Sequence, residues 1–226
     1  MILNEFNLNE KQNKQFALYL DFLISENKKY NLTSIVEKDE IYIKHFYDSL
    51  KLKDAIDLEK VSSFLDIGSG AGFPAIPIKI LFPHLLVTII EPTLKRCNFL
   101  NELVKLLELE NIEIINERAE NITFIQREAF DIVTARAVAN LNILLELTIP
   151  YVKVGGHFLA LKGTSYEEEI SGAKSAFKIL NCEVVDIYKY DLPMDLGKRV
   201  IIDFLKNKKT KSLYPRKYAL IKKKQL

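Results

Sequence analysis

The chain of 226 residues has no tryptophan, only two cysteines and only three histidines. Cys97 and Cys182 stand far apart, with neither CxxC spacing nor neighbouring histidines, so neither a disulfide framework nor a metal site is expected. Cys97 falls in a helical pattern and Cys182 opens a strand-like run, and both read as packing residues. His45, His84 and His157 are scattered, which argues further against zinc. No apolar run reaches the roughly 18–20 residues needed to cross a bilayer. The opening MILNEFNLNEKQ lacks a basic start followed by an apolar block, so no secretion signal is expected and the chain reads as cytoplasmic.

Acidic residues are missing after Asp203, where nine lysines and arginines follow; the rest carries 23 basic against 30 acidic residues, a net of −7. A basic end on an acidic body suits contact with a polyanion. What is present in quantity is ordinary for a soluble globular protein with a sizeable core: 48% hydrophobic and 27% charged residues. The length fits one compact unit, read as a helical cap (1–60), a core (61–205) and a basic tail (206–226).

Phe16, Tyr19, Leu20 and Leu23 recur at helical spacing, which predicts a helix from about Asn9 to Tyr30. NLTS at 31–34 breaks it and is expected to cap a second helix running through Ile41–Leu50. In that helix His45 and Asp48 share a face, more often a local hydrogen bond than chemistry. From Val61 short β-rich runs alternate with helical stretches: SSFLDI, LLVTII, IEII, FDIVTA, GHFLALKG, CEVVDIYKY and RVIIDFL. Such alternation predicts an α/β fold, a mostly parallel sheet with helices on both faces. The short DLPMDLGK connector before the last run predicts a closing hairpin and an antiparallel final strand.

In FLDIGSGAGFP, residues 64–74, three glycines spaced two apart follow the first strand, where an open α/β sheet binds its ligand. A dinucleotide fingerprint would need a third glycine at position 73, which is Phe73, and Pro74 and Pro77 remove amides an anion would want. The loop suits an uncharged or zwitterionic group rather than a diphosphate. Asp66 beside it would repel pyrophosphate, yet could attract an amino group or order water. Glu91, ending the second strand, can accept both hydroxyls of a ribose. The third strand leads into Glu117-Arg118-Ala119-Glu120, placed to read an adenine edge. Together these features describe a site for S-adenosylmethionine, with Gly68, Gly70, Gly72, Glu91 and Glu120 as holders.

The next strand end, DIVTARAV, carries neither the Asn/Asp, proline and aromatic set of exocyclic-amine methylation nor a nucleophilic cysteine. What it leaves open is an acceptor that already owns a lone pair, such as guanine N7, for which positioning suffices. Three other readings share these features: an NAD-dependent oxidoreductase, a small-molecule methyltransferase, and a protein that binds RNA and donor without catalysis.

NLTSI, KHFYDSL, FLDIGSGAGFPAIP, IIEPTLKRCNFL, INERAE, TARAVA, LKG and YPRKYA occur in an order that resembles the RsmG family, once called glucose-inhibited division protein B. The resemblance implies a Rossmann-like class I methyltransferase fold with seven strands, the last antiparallel, behind a helical cap. It implies S-adenosylmethionine as donor, no metal, and as substrate N7 of a guanine in the 530 loop of 16S rRNA, position 527. It further implies donor contacts at Gly68, Phe73, Ala119, Glu120 and Arg136. Arg136, without an obvious packing purpose at a strand end, is the candidate for positioning either the donor's carboxylate or the target nucleotide, with a structural salt bridge as the alternative. Ala75 replaces a glycine usual in the family loop, and the tail lacks the family's closing glycine and prolines. The partner expected is 16S rRNA or the small ribosomal subunit, met by a monomer away from membranes. Lys95, Arg96, Lys162, Arg199, Arg216 and Lys217 are expected to form a basic rim for the RNA.

Overall fold

The computed structural model describes residues 2–122 and 126–226. The runs expected to be strands are strands: β1 (Ser63–Ile67), β2 (Leu86–Ile90), β3 (Ile112–Ile115), β4 (Phe130–Arg136), β5 (Val152–Lys162), β6 (Cys182–Asp191) and β7 (Lys198–Lys206). Their order in the sheet is β3-β2-β1-β4-β5-β7-β6, parallel from β3 to β5, with β7 antiparallel to both its neighbours. The last strand by sequence thus lies inside the sheet and β6 takes the edge. β1 and β2 are apolar nearly throughout because helices cover both faces, as parallel sheets require. The chain reverses direction across the sheet between β1 and β4, so a crevice opens at their carboxyl ends. The register pairs Asp66 with Ile89 on one side and Thr134 on the other, which brings the ends of β1, β2 and β4 level.

Helix α1 (Glu10–Tyr30) begins with a capping box, Asn9 and Gln12 each accepting the other's backbone amide at 2.9 Å. It lies on α5 (Ala75–Leu81) and α6 (Leu94–Leu106) and is pinned to their far ends: Gln12 donates to the Ile80 carbonyl at 2.8 Å, and Gln15 to that of Leu107 at 2.7 Å. The cap therefore packs on the sheet helices as part of one core.

The second helical stretch departs from expectation at its start. NLTS does not cap it; α2 (Lys38–Ile41) begins four residues later, behind Glu37. It continues through a π-helical segment, Tyr42–Tyr47, into α3 (Asp48–Leu50) and then α4 (Leu52–Ala55). On the opposite face α7 (Leu141–Thr148), α8 (Tyr166–Gly172) and α9 (Lys174–Leu180) build the second half of the core.

The basic tail is not a free appendage. Lys206 belongs to β7 and is fully buried, donating to Glu128 and to the carbonyls of Ile149 and Val152 at 2.8–3.0 Å. The chain then turns back and ends in α10 (Tyr218–Lys223), with Ile221 buried. Among the described residues no helix is long and apolar enough to cross a membrane.

Candidate active site

The glycine loop runs from the end of β1 into α5. The Gly68 amide donates to the Ile90 carbonyl at 2.8 Å, and the amides of Gly72 and Phe73 both reach Ser69 O, at 2.9 and 3.0 Å. Gly70 has φ +61 and nothing within 4 Å of a Cβ placed there, so bare backbone faces the crevice. Gly72 serves the loop in another way. At φ +102, a Cβ would meet Ile76 Cγ1 and the Tyr19 hydroxyl at 2.7 Å. It faces the cap. The Tyr19 hydroxyl donates to the Ala71 carbonyl, and its ring stacks on Phe73 at 5.3 Å, so α1 braces the loop from behind.

Two cavities meet over this loop, sharing Gly68, Arg96 and Ala137 in their walls. The smaller, about 310 Å³, is walled by Glu91, Thr93, Arg118, Ala119, Glu120 and Tyr218, among others. The buried Glu91 accepts the Gly70 amide on Oε2 and the Thr93 amide on Oε1, both at 3.0 Å. A carboxylate has about four acceptor sites, so it can take hydroxyls besides. Glu120 is held at 2.6 Å by Arg118 Nε.

The larger cavity, about 490 Å³, lies toward the cap and includes Thr33, Lys44, His45, Asp48, Gly70 and Phe73 in its wall, with Arg136, Lys162 and Arg199. Here the structure corrects two expectations. Arg136 does have a packing partner: its Nη1 is 3.0 Å from Asp48 Oδ2 and 3.0 Å from the Lys44 carbonyl, and its guanidinium lies 5.1 Å from the Phe73 ring centre. His45 and Asp48 are more than a local pair, because both turn to Arg136, His45 through Nδ1 at 3.3 Å. Since arginine can only donate, Nδ1 accepts, and Nε2–H donates to Thr33 Oγ1 at 2.9 Å. Burial, then the neighbouring Arg136 charge, lowers the His45 pKa to about 3. Tyr190 of β6 adds a hydrogen bond to Asp48 Oδ1 at 2.9 Å, and burial raises its pKa.

Asp66 is wholly buried beneath the loop, lines neither cavity, and accepts the Thr134 hydroxyl at 3.0 Å. Burial pushes its pKa up to about 7. Its Oδ2 and the nearby Ser69 Oγ are buried without hydrogen-bond partners. The open backbone at Gly70, the Ser69 hydroxyl in the larger cavity's wall and the spare acceptors on Glu91 fit a ligand with a sugar and a polar, uncharged or zwitterionic end.

The proposed RNA-contact residues fall into three groups. Arg96, Lys162 and Arg199 line the larger cavity. Lys95 lies outside it, with Nζ on the Tyr30 carbonyl at 2.8 Å, and Lys217 is exposed at the start of α10. Arg216 is engaged in structure: it grips the fully buried Glu146 with Nε at 2.7 Å and Nη2 at 2.6 Å. Among the described residues no group of three or more metal-ligating side chains is found.

Tyr190 and Tyr218 were not singled out by the sequence, which showed Asp48 only as a neighbour of His45. Tyr190 sits in a strand run with no local motif, and Tyr218, though inside YPRKYA, carries no spacing that marks it as part of the site.

Comparison with known proteins places the chain in a family. Residues 12–194 match the family GidB, described as rRNA small subunit methyltransferase G. Ribosomal RNA small subunit methyltransferase G of Macrococcus caseolyticus is 47% identical over 213 residues, 94% of this chain and 90% of that protein. Its namesake from Bacillus pumilus is 49% identical over 214 residues, 93% of this chain and 89% of that protein. Among solved structures, M. jannaschii TYW2 in complex with AdoMet superposes with TM-score 0.56 at 19% identity, over 70% of this chain and 76% of that one; at this distance it shows the fold, that of a class I methyltransferase. Since the match runs through cap and core alike, the chain belongs to the family of ribosomal RNA small subunit methyltransferase G.

Proposed function

We propose that this S-adenosylmethionine-dependent methyltransferase places its methyl group on N7 of a guanine in 16S rRNA, at position 527 in the 530 loop, a position that fits its family. One observation carries the reading: the described lining of the larger cavity holds five cations, Lys44, Arg96, Arg136, Lys162 and Arg199, against four carboxylates that pair with them, Asp48 in the wall and Glu40, Glu91 and Glu169 behind it. That balance suits a phosphate-bearing acceptor and opposes a cationic or neutral apolar one.

Among its described lining residues the same cavity holds no free base. Asp48 is committed to Arg136 and Tyr190, and His45, with its pKa near 3 and Nδ1 turned to a guanidinium, is a poor proton acceptor. Guanine N7 carries a lone pair and no proton, so its attack on the sulfonium methyl requires none to be removed. As the N–CH3 bond forms the S–CH3 bond breaks, and the positive charge passes to the purine. The protein's part is alignment and a fitted electrostatic setting. Glu91 and Glu120 are assigned to the adenosine half, and Gly68, Gly70 and Phe73 to the loop side. Arg136 is held by Asp48 at the boundary with the acceptor space.

Labelled methyl donor incubated with small ribosomal subunits and with naked 16S rRNA, both from cells lacking the enzyme, tests the reading. Label at N7 of guanine 527 supports it. Label on another base overturns the substrate, and tight NADH binding without donor binding overturns the reaction. We further propose that the enzyme acts as a monomer and in the cytoplasm, where its proposed ribosomal RNA substrate is found.

A further inference from the structure

The last dozen residues of the sequence, rich in lysine, fold onto the donor side of the crevice. Tyr218, at the first position of α10, lines the smaller cavity together with Glu91, Ala119 and Glu120. Arg118 lies over its ring, 4.4 Å from the centre, while the same guanidinium binds Glu120 at 2.6 Å. Tyr218, Arg118 and Glu120 thus form a relay from the tail to the carboxylate assigned to the adenine edge.

The segment is anchored well enough to serve as a wall. Glu146, buried on α7, receives two side-chain bonds from Arg216 and its backbone amide at 2.9 Å. Arg127 donates to the carbonyls of Thr210, Lys211 and Tyr214, and Arg216 also reaches the Lys224 carbonyl at 2.9 Å, tying off the end of α10. Four independent points therefore fix the tail against the core: Ile221, Glu146, Arg127 and the Arg118 stack.

We infer that Tyr218 is a donor-positioning residue, the C-terminal segment completing the adenosine half of the site and not extending toward RNA. The inference rests on the donor assignment above. An aromatic wall adds contact area and a stacking partner for a purine, and it keeps Arg118 oriented on Glu120.

Calorimetric titration of S-adenosylmethionine into wild type, Tyr218→Ala, Tyr218→Phe and Leu220→Ala tests it, with thermal melts and rRNA filter binding on the same samples. Leu220 is exposed on the same helix and lines neither cavity. Tyr218→Ala is expected to weaken donor binding about tenfold and to raise the KM for donor, with rRNA affinity and melting temperature close to wild type. Tyr218→Phe is expected to restore binding and Leu220→Ala to change nothing. Unaltered donor affinity in Tyr218→Ala overturns the inference, as does a loss confined to rRNA binding. Failure of the wild type to bind donor would instead overturn the functional reading itself.

Discussion

Arg136 at the end of β4 and Asp48 in the cap stand 3.0 Å apart, with side chains only 17% and 4% exposed. A buried pair costs most when one member is removed, because the survivor is left charged and out of water; about 3–5 kcal/mol is usual. Arg136→Ala is therefore expected to lower unfolding free energy by roughly 3 kcal/mol as well as abolish methyl transfer. Arg136→Lys should recover part of the stability, since an ammonium cannot span Asp48 and the Lys44 carbonyl as a guanidinium does. Denaturant unfolding beside a methylation assay checks both. Full stability in Arg136→Ala would show that the arginine serves substrate alone.

Two loop glycines separate binding from folding. Gly70→Ala meets open space and pays only left-handed backbone strain, about 1–2 kcal/mol, so the protein should fold while donor affinity drops. Gly72→Ala carries similar strain and also collides with Ile76 and Tyr19 behind the loop, adding about 1–3 kcal/mol. Melting curves should therefore rank wild type above Gly70→Ala above Gly72→Ala. The reverse order would mean the loop is not braced by the cap.

His45 and Asp66 give opposing responses to pH. His45 goes from 6.5 in the unfolded chain to about 3 when folded. Acid therefore protonates the unfolded state first, and stability is lost as pH falls from 6.5 toward 3. Asp66 goes from 3.8 to about 7, so the folded state holds a proton that the unfolded state has released. Stability is then lost as pH rises from about 4 to 7. Each slope approaches 1.4 kcal/mol per unit, and between about 4 and 6.5 they nearly cancel. His45→Gln should expose the Asp66 slope, with stability falling as pH climbs through that window, and Asp66→Asn should expose the reverse. Parallel pH profiles for the two variants would refute the assignment.

The tail separates into structural and solvated charges. Arg216→Ala strands Glu146 and is expected to cost roughly 3 kcal/mol in an unfolding experiment. Replacing the exposed Lys222, Lys223 and Lys224 by glutamine should leave stability within about 0.5 kcal/mol of wild type. If those lysines touched phosphates, each would contribute about 0.7–0.9 to the slope of log affinity against log salt. With the tail folded on the donor side, that slope is expected to stay as in wild type.

Much of this architecture was legible from local pattern. Buried parallel strands announce themselves as β-rich apolar runs, and the turn after β1 is legible because Gly70 and Gly72 adopt backbone angles other residues avoid. What escaped depends on contacts between distant residues. Arg136 meets Asp48 across 88 positions, and Tyr190 meets it across 142. No spacing rule marks such partners. NLTS misled because Thr33 has the chemistry of a cap, yet its hydroxyl serves His45 and the Ile35 amide. The tail misled because charge was counted without burial: Lys206 and Arg216 lend their charge inward.

The bond between Arg216 and Glu146 also sets an order of events during synthesis. α7 is made some seventy positions before the arginine that neutralises it. Until Arg216 has been made, the Glu146 carboxylate lacks its partner, and the crevice lacks the side that Tyr218 supplies. This half of the crevice therefore cannot be completed before residues 216–218 have been made.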